Sequence, residues 1–112
     1  MDTFQALSDP TRRAIVAMLA QGERSAGEIR ACFTISAPAV SQHLKVLKGA
    51  GLVKARADAQ RRIYELDPRG IQEIEAWVAE VRAFWNGRLD ALERHLANEA
   101  KAEGDGKGRS RS

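Results

Sequence analysis

The sequence predicts a mainly α-helical chain carrying one small β-hairpin, and three observations predict it. Apolar residues recur at helical spacing in four stretches, each opened by a capping residue. One stretch alone, around residue 63, alternates apolar and polar residues as a half-buried strand does. At 112 residues, 44% hydrophobic and 29% charged, the chain has the length and composition of one globular domain. That domain is expected over residues 1–98. Residues 99–112 are rich in glycine and charge, too polar to fold on their own, and are expected to form a disordered basic tail.

The first helix starts at Asp9-Pro10, a cap followed by proline, and buries Ile15, Met18 and Leu19 before Gln21-Gly22 ends it. Ser25 with Glu28 forms a capping box for a second short helix, with Ile29 and Phe33 turned to the core. Ser36 caps a third, with Pro38 in its first turn, Val40, Leu44 and Leu47 as its buried stripe, and Gly49 and Gly51 at its end. Its other side carries Ser41, Gln42 and Lys45, whose hydroxyl, amide and ammonium groups are of the kinds that contact bases and phosphates. Two short helices joined by a tight turn, the second polar on one face, make a helix-turn-helix pattern, with the recognition helix at about 36–48. Taken alone, that helix reads equally well as an ordinary amphipathic helix with a solvated face.

Its neighbours favour contact with DNA. A hairpin follows directly, and Arg56, Arg61 and Arg62 on a basic wing at about 54–64 are placed to reach phosphates or a minor groove. Residues 41–64 hold six basic side chains against Asp58 alone, although the whole chain carries only +3. Asp67-Pro68 then opens a long helix with Ile71, Ile74, Val78, Val81, Trp85, Leu89, Leu92 and Leu96 in steps of three and four. Such a seam calls for a partner helix, and a second copy of the chain supplies one. Ile74, Val78, Val81, Trp85, Leu89 and Leu92, joined by Phe4 and Leu7, are the expected homodimer interface, and Gly87 leaves open whether the helix is continuous.

Cys32, the single cysteine, excludes an intrachain disulfide and reads as a small core residue. No apolar run approaches a membrane span and no signal peptide is evident, so a cytoplasmic location without membrane contact is expected. Catalytic residues are absent from the reading: Ser41 and His43 stand two apart on one helix and do not face each other. Neither a paired acid site nor a phosphate-binding glycine loop offers other enzymatic chemistry.

Phe4 to Arg13 (FQALSDPTRR), Ile15, Leu19, Ser41 to Leu47 (SQHLKVL) and Gly51-Leu52-Val53 together resemble the ArsR/SmtB family of bacterial winged helix-turn-helix repressors, over about residues 3–97. The resemblance implies a homodimer that binds a palindromic operator in double-stranded DNA and represses transcription. It also implies that Ala37, Pro38, Ser41, Gln42 and His43 meet the major groove, where Ala37 and Pro38 offer only apolar contact. Metal-sensing members carry two cysteines on the helix before the recognition helix, and here Arg30 stands in place of the first. The terminal helix likewise offers only His95 beside Glu93 and Glu99. The likeness is therefore to the metal-independent, autorepressor-like branch, with no metal or other cofactor expected. Nothing in the sequence names an inducer. Two alternatives stay open: a MarR-type regulator gated by a small apolar ligand near Trp77, Phe84 and Trp85, and a winged-helix module that binds protein instead of DNA.

Overall fold

Side-chain caps set where the helices begin. In the computed structural model, which describes residues 2–107 and side chains from Asp2 to Lys101, Asp9 accepts from the backbone N–H groups of Thr11 and Arg12 at 2.8 and 3.1 Å and opens α2 (Pro10–Ala20). Ser25 and Glu28 complete the expected capping box at α3 (Ala26–Ala31), and Ser36 Oγ accepts from Ala39 N–H at the start of α4 (Ala37–Gly49). Asp67 Oδ1 accepts from Arg69 N–H at the start of α5 (Pro68–Lys107). One helix was not foreseen: α1 (Thr3–Ala6), a single turn held by a capping box between Asp2 and Gln5.

The end of α4 is tied as firmly as its start. Gly51 takes φ +76°, its N–H donates to Lys48 O, and Leu52 N–H donates to Leu47 O at 3.0 Å, a Schellman arrangement with Leu47 and Leu52 both buried. Asp67 N–H reaches Leu52 O at 2.8 Å, and Gly70 N–H reaches Gly51 O at 2.9 Å. The first turn of α5 thus lies directly against the backbone that closes α4. A Cβ on Gly70 would stand 2.9 Å from the Gly51 carbonyl carbon and 3.0 Å from Leu52 Cα, so only glycine fits there.

The hairpin consists of β2 (Val53–Asp58) and β3 (Arg61–Leu66), antiparallel from Val53↔Leu66 to Asp58↔Arg61, with Ala59-Gln60 as its turn. A further two-residue strand, β1 (Arg24–Ser25), pairs with β3 at Tyr64 and Ile63 and completes a three-stranded sheet in the order β1-β3-β2. So short a strand has no periodicity of its own and is recognisable only by its partner.

Two compact units divide the chain, residues 1–76 and 77–112. The first has a core of Ala6, Ile15, Leu19, Ile29, Val40, Leu44, Leu47, Leu52 and Val53, all 3% exposed or less. Each large aliphatic side chain there contributes about 1.5–3 kcal/mol of burial. Leu7, Ile71 and Ile74 pack half-buried against it, so two residues assigned to the dimer seam, Leu7 and Ile74, already have apolar neighbours within their own unit. In the second unit Val78, Val81 and Leu96 are half-buried, whereas Trp77, Phe84, Trp85, Leu89 and Leu92 are exposed.

Two expectations need correction, and one open point is closed. Cys32 is exposed, not in the core, because it caps the C-terminus of α3 while Ile29 and Phe33 take the inward positions. Helix α5 runs through Gly87 without a break; one glycine costs a helix only about 1 kcal/mol. It also continues past Asn98 to Lys107, since Glu99-Ala100-Lys101 are good helix formers and Glu99 pairs with His95 one turn earlier at 3.0 Å. Of the expected tail, residues 108–112 lie outside the described ones. No helix among the described residues is long and apolar enough to cross a membrane.

Candidate nucleic-acid interface

Burying Val40, Leu44 and Leu47 on one side of α4 forces the opposite side outward. Ala37, Pro38, Ser41, Gln42 and Lys45 are all exposed there, forming a band about two turns long near the N-terminus of the helix. Apolar contact is available at its first turn, then a hydroxyl, an amide with both donor and acceptor, and an ammonium. No loop must order for these groups to be presented, because the helix that carries them is fixed at both ends.

His43 behaves differently from its neighbours. Its ring is half-buried and its Nδ1 lies 3.3 Å from Arg12 Nη1. Arginine only donates, so Nδ1 is the acceptor and Nε2 is left as the ring's donor. Arg12 is itself anchored by donating from Nε to Ala6 O at 2.6 Å and from Nη2 to Gln5 O at 3.4 Å, satisfying carbonyls at the end of α1. The same residue reinforces Asp9, whose carboxyl is held below its usual range chiefly by the Arg12 backbone N–H. Arg12 is therefore a link between the α1–α2 corner and the face of α4. No local pattern marks it, since its partner lies 31 residues away.

The three wing arginines divide into two groups. Arg56 on β2 is held by Glu23, with Nη2 at 2.8 and 2.9 Å from the two carboxylate oxygens, and so braces the hairpin against the loop before β1. Arg61 and Arg62 are at the start of β3, beside the turn, and both are exposed. Arg61 makes a long contact of 3.4 Å with Asp58 across the turn. Between the hairpin, α3 and α4 lies an open cleft of about 470 Å³ lined by Arg30, Ser41, Arg61, Arg62 and Tyr64 among others. Arg30 is an addition to the expected interface residues. Ser41, Arg61 and Arg62 line the same cleft.

Known proteins resemble this arrangement. Residues 9–55 match the family model described as bacterial regulatory protein, arsR family. The chain is 48% identical over 86 residues to the HTH-type transcriptional regulator Rv2034 of Mycobacterium tuberculosis, covering 77% of this chain and 78% of that one. It is 38% identical over 77 residues to the transcriptional repressor SdpR of Bacillus subtilis, covering 69% and 86%. Among solved structures it resembles the homodimeric winged helix-turn-helix DNA-binding domain Mb0332 from Mycobacterium bovis, described as a possible ArsR-family transcriptional regulator. That likeness has a TM-score of 0.60 at 31% identity and covers 72% of this chain and 75% of that one.

Proposed function

The chain belongs to the ArsR family of bacterial regulatory proteins, and on that premise we propose that it represses transcription as a homodimer seated on a palindromic DNA operator. It is a DNA-binding transcriptional regulator with a winged helix-turn-helix fold, and not an enzyme. The family sets aside the MarR-type alternative. In the proposed complex α4 enters the major groove, where Ser41, Gln42 and Lys45 meet base edges and phosphates and Ala37 and Pro38 meet thymine methyl groups. His43 offers Nε2–H from a ring steadied by Arg12. Arg61 and Arg62 hold the backbone, and Arg56 joins them only by leaving Glu23.

The observation that carries this reading is the exposed polar band on a rigid α4 beside a hairpin with two exposed arginines. Pairing of two such units rests on the apolar stripe of α5, where Val78, Val81, Trp85, Leu89 and Leu92 are the proposed contacts, with Phe4, 41% exposed, at the amino terminus. The Mycobacterium bovis likeness, homodimeric by its own description, supports a dimer here. Removing charge from the wing tests the DNA reading. Replacing Arg61 and Arg62 by alanine should weaken binding to every duplex and reduce the salt dependence of log Kd by about one to two units per protomer. Affinity that ignores both salt and competing duplex would instead favour a protein-binding module.

A further inference from the structure

We propose that the cleft between α3 and the hairpin seats one phosphodiester of the DNA backbone, with Arg30 and Arg62 as its cationic walls. This inference rests on the DNA-binding reading and adds a residue and a site to it. The cleft is open, about 470 Å³, and no carboxylate lines it. The other basic side chains of the hairpin are matched with acids: Lys54 with Glu65, Arg56 with Glu23, and Arg61 with Asp58. Among the described residues, Arg30 and Arg62 make no ion pair, although both line the cleft. Arg30 leaves the last turn of α3, yet its Nη2 lies 3.9 Å from the position of a Cβ on Gly27. The guanidinium is thus folded back over the first turn of its helix.

Two unmatched guanidinium groups facing one cleft repel each other, which a bound oxyanion relieves, and their weak hydration makes them easy to strip of water for such a partner. Ser41 and Tyr64 add hydroxyl donors to the same walls. The nearest acid on α3, Glu28, is occupied: it accepts from Ser25 N–H at 2.8 Å, which holds its carboxyl below the usual range. The anion is assigned to the duplex because of what borders the cleft. One wall carries Ser41, from the face of α4 proposed to read bases, and another is the wing. A strand whose bases meet Gln42 carries its phosphates past that cleft, and a phosphate held there would fix the depth and register of α4 in the groove.

The test uses the full chain and the duplex it selects from a random pool, with neutral methylphosphonates placed singly along each strand. Wild-type protein should lose affinity about tenfold at the one position per half-site seated in the cleft, apart from losses at the phosphates that Lys45 and Arg61 contact. Arg30→Gln should bind the unmodified duplex about tenfold more weakly, with a salt slope lower by about one unit per protomer, and should no longer respond to the methylphosphonate at that position. Arg62→Gln should behave alike, which keeps the test intact if one variant folds poorly; an unchanged melting curve for either shows that folding is not the cause. Full affinity in both folded variants, or an Arg30→Gln loss that stays additive with every methylphosphonate, overturns the inference while leaving the DNA reading intact. If inorganic phosphate at constant ionic strength stabilises wild type but not Arg30→Gln, and the methylphosphonate scan is flat, the cleft takes a free oxyanion and the backbone assignment is wrong. If wild type selects no duplex, the repressor reading falls and the inference with it.

Discussion

Replacing Gly70 by alanine sets two effects against each other. Helix propensity favours alanine by about 1 kcal/mol, so a reading of α5 as an isolated helix predicts a more stable protein. Packing predicts the reverse. The new methyl carbon would sit 2.9 Å from the Gly51 carbonyl carbon and 3.0 Å from Leu52 Cα, and both are backbone atoms of the turn that closes α4. Relief requires the first turn of α5 to withdraw, stretching the Gly70 N–H to Gly51 O bond of 2.9 Å and the Asp67 N–H to Leu52 O bond of 2.8 Å. Losing two such bonds costs about 2 kcal/mol and the residual overlap about 1–3 kcal/mol, so the net loss is about 2–4 kcal/mol after the propensity gain. For a domain of this size, that lowers Tm by about 10 °C or more in a thermal melt followed by circular dichroism. Gly87→Ala is the control: nothing lies within 4 Å of its Cβ position, it is interior to the same helix, and it should raise stability by up to about 1 kcal/mol. A Gly70→Ala variant that melts at or above wild type would refute the close approach of α5 to the α4 turn.

Asp67 supplies a pH prediction. Arg69, through its side chain and then its backbone N–H, holds the Asp67 carboxyl at about 2, against 3.8 ordinarily. A carboxyl depressed on folding stabilises the protein above its unfolded pKa, and that stability disappears as pH falls from about 4 to about 2. Because Arg69 is 82% exposed, we set the contribution at about 1–2 kcal/mol. Asp67→Asn should therefore unfold more readily in urea at pH 7 by that amount and show a flatter stability profile between pH 4 and 2; an unchanged profile would remove the pair from the account. Val81→Glu places like charges across the proposed α5 seam, and sedimentation equilibrium should then return the monomer mass, whereas a persistent dimer would move the interface elsewhere. Gln42→Ala should relax base preference at one step of each half-site by about 1–3 kcal/mol, measured by competition between duplexes differing at that step; unchanged discrimination would show that Gln42 touches no base.

What could be read from the sequence is what is encoded within a few residues. Asp9, Ser25, Ser36 and Asp67 cap their helices because a cap is a matter of one side chain and the amides two or three positions on. The stripe of Val40, Leu44 and Leu47 and the exposure of Ser41, Gln42 and Lys45 follow from helical period alone. Features joined across the chain were not legible. Strand β1 exists through its pairing with β3, Arg56 finds Glu23 at a separation of 33 residues, and Arg12 finds His43 at 31. Arg30 belongs with these: only the fold brings the end of α3 to the wing, so the arginine that stands where metal sensors carry a cysteine is also a wall of a basic cleft. Cys32 was placed in the core on residue type, but its position as a C-cap, one short of Phe33, turns it outward.

The central claim is that two copies of α4 read two related half-sites, and selection of bound sequences from a random duplex pool tests it most directly. The expected result is enrichment of an inverted repeat whose half-site centres are about one helical turn, roughly 10 base pairs, apart or a multiple of that. Selection with the Gln42→Ala variant should lose one base preference symmetrically in both halves. Enrichment of a single unrepeated site, or no enrichment over the starting pool, would contradict it.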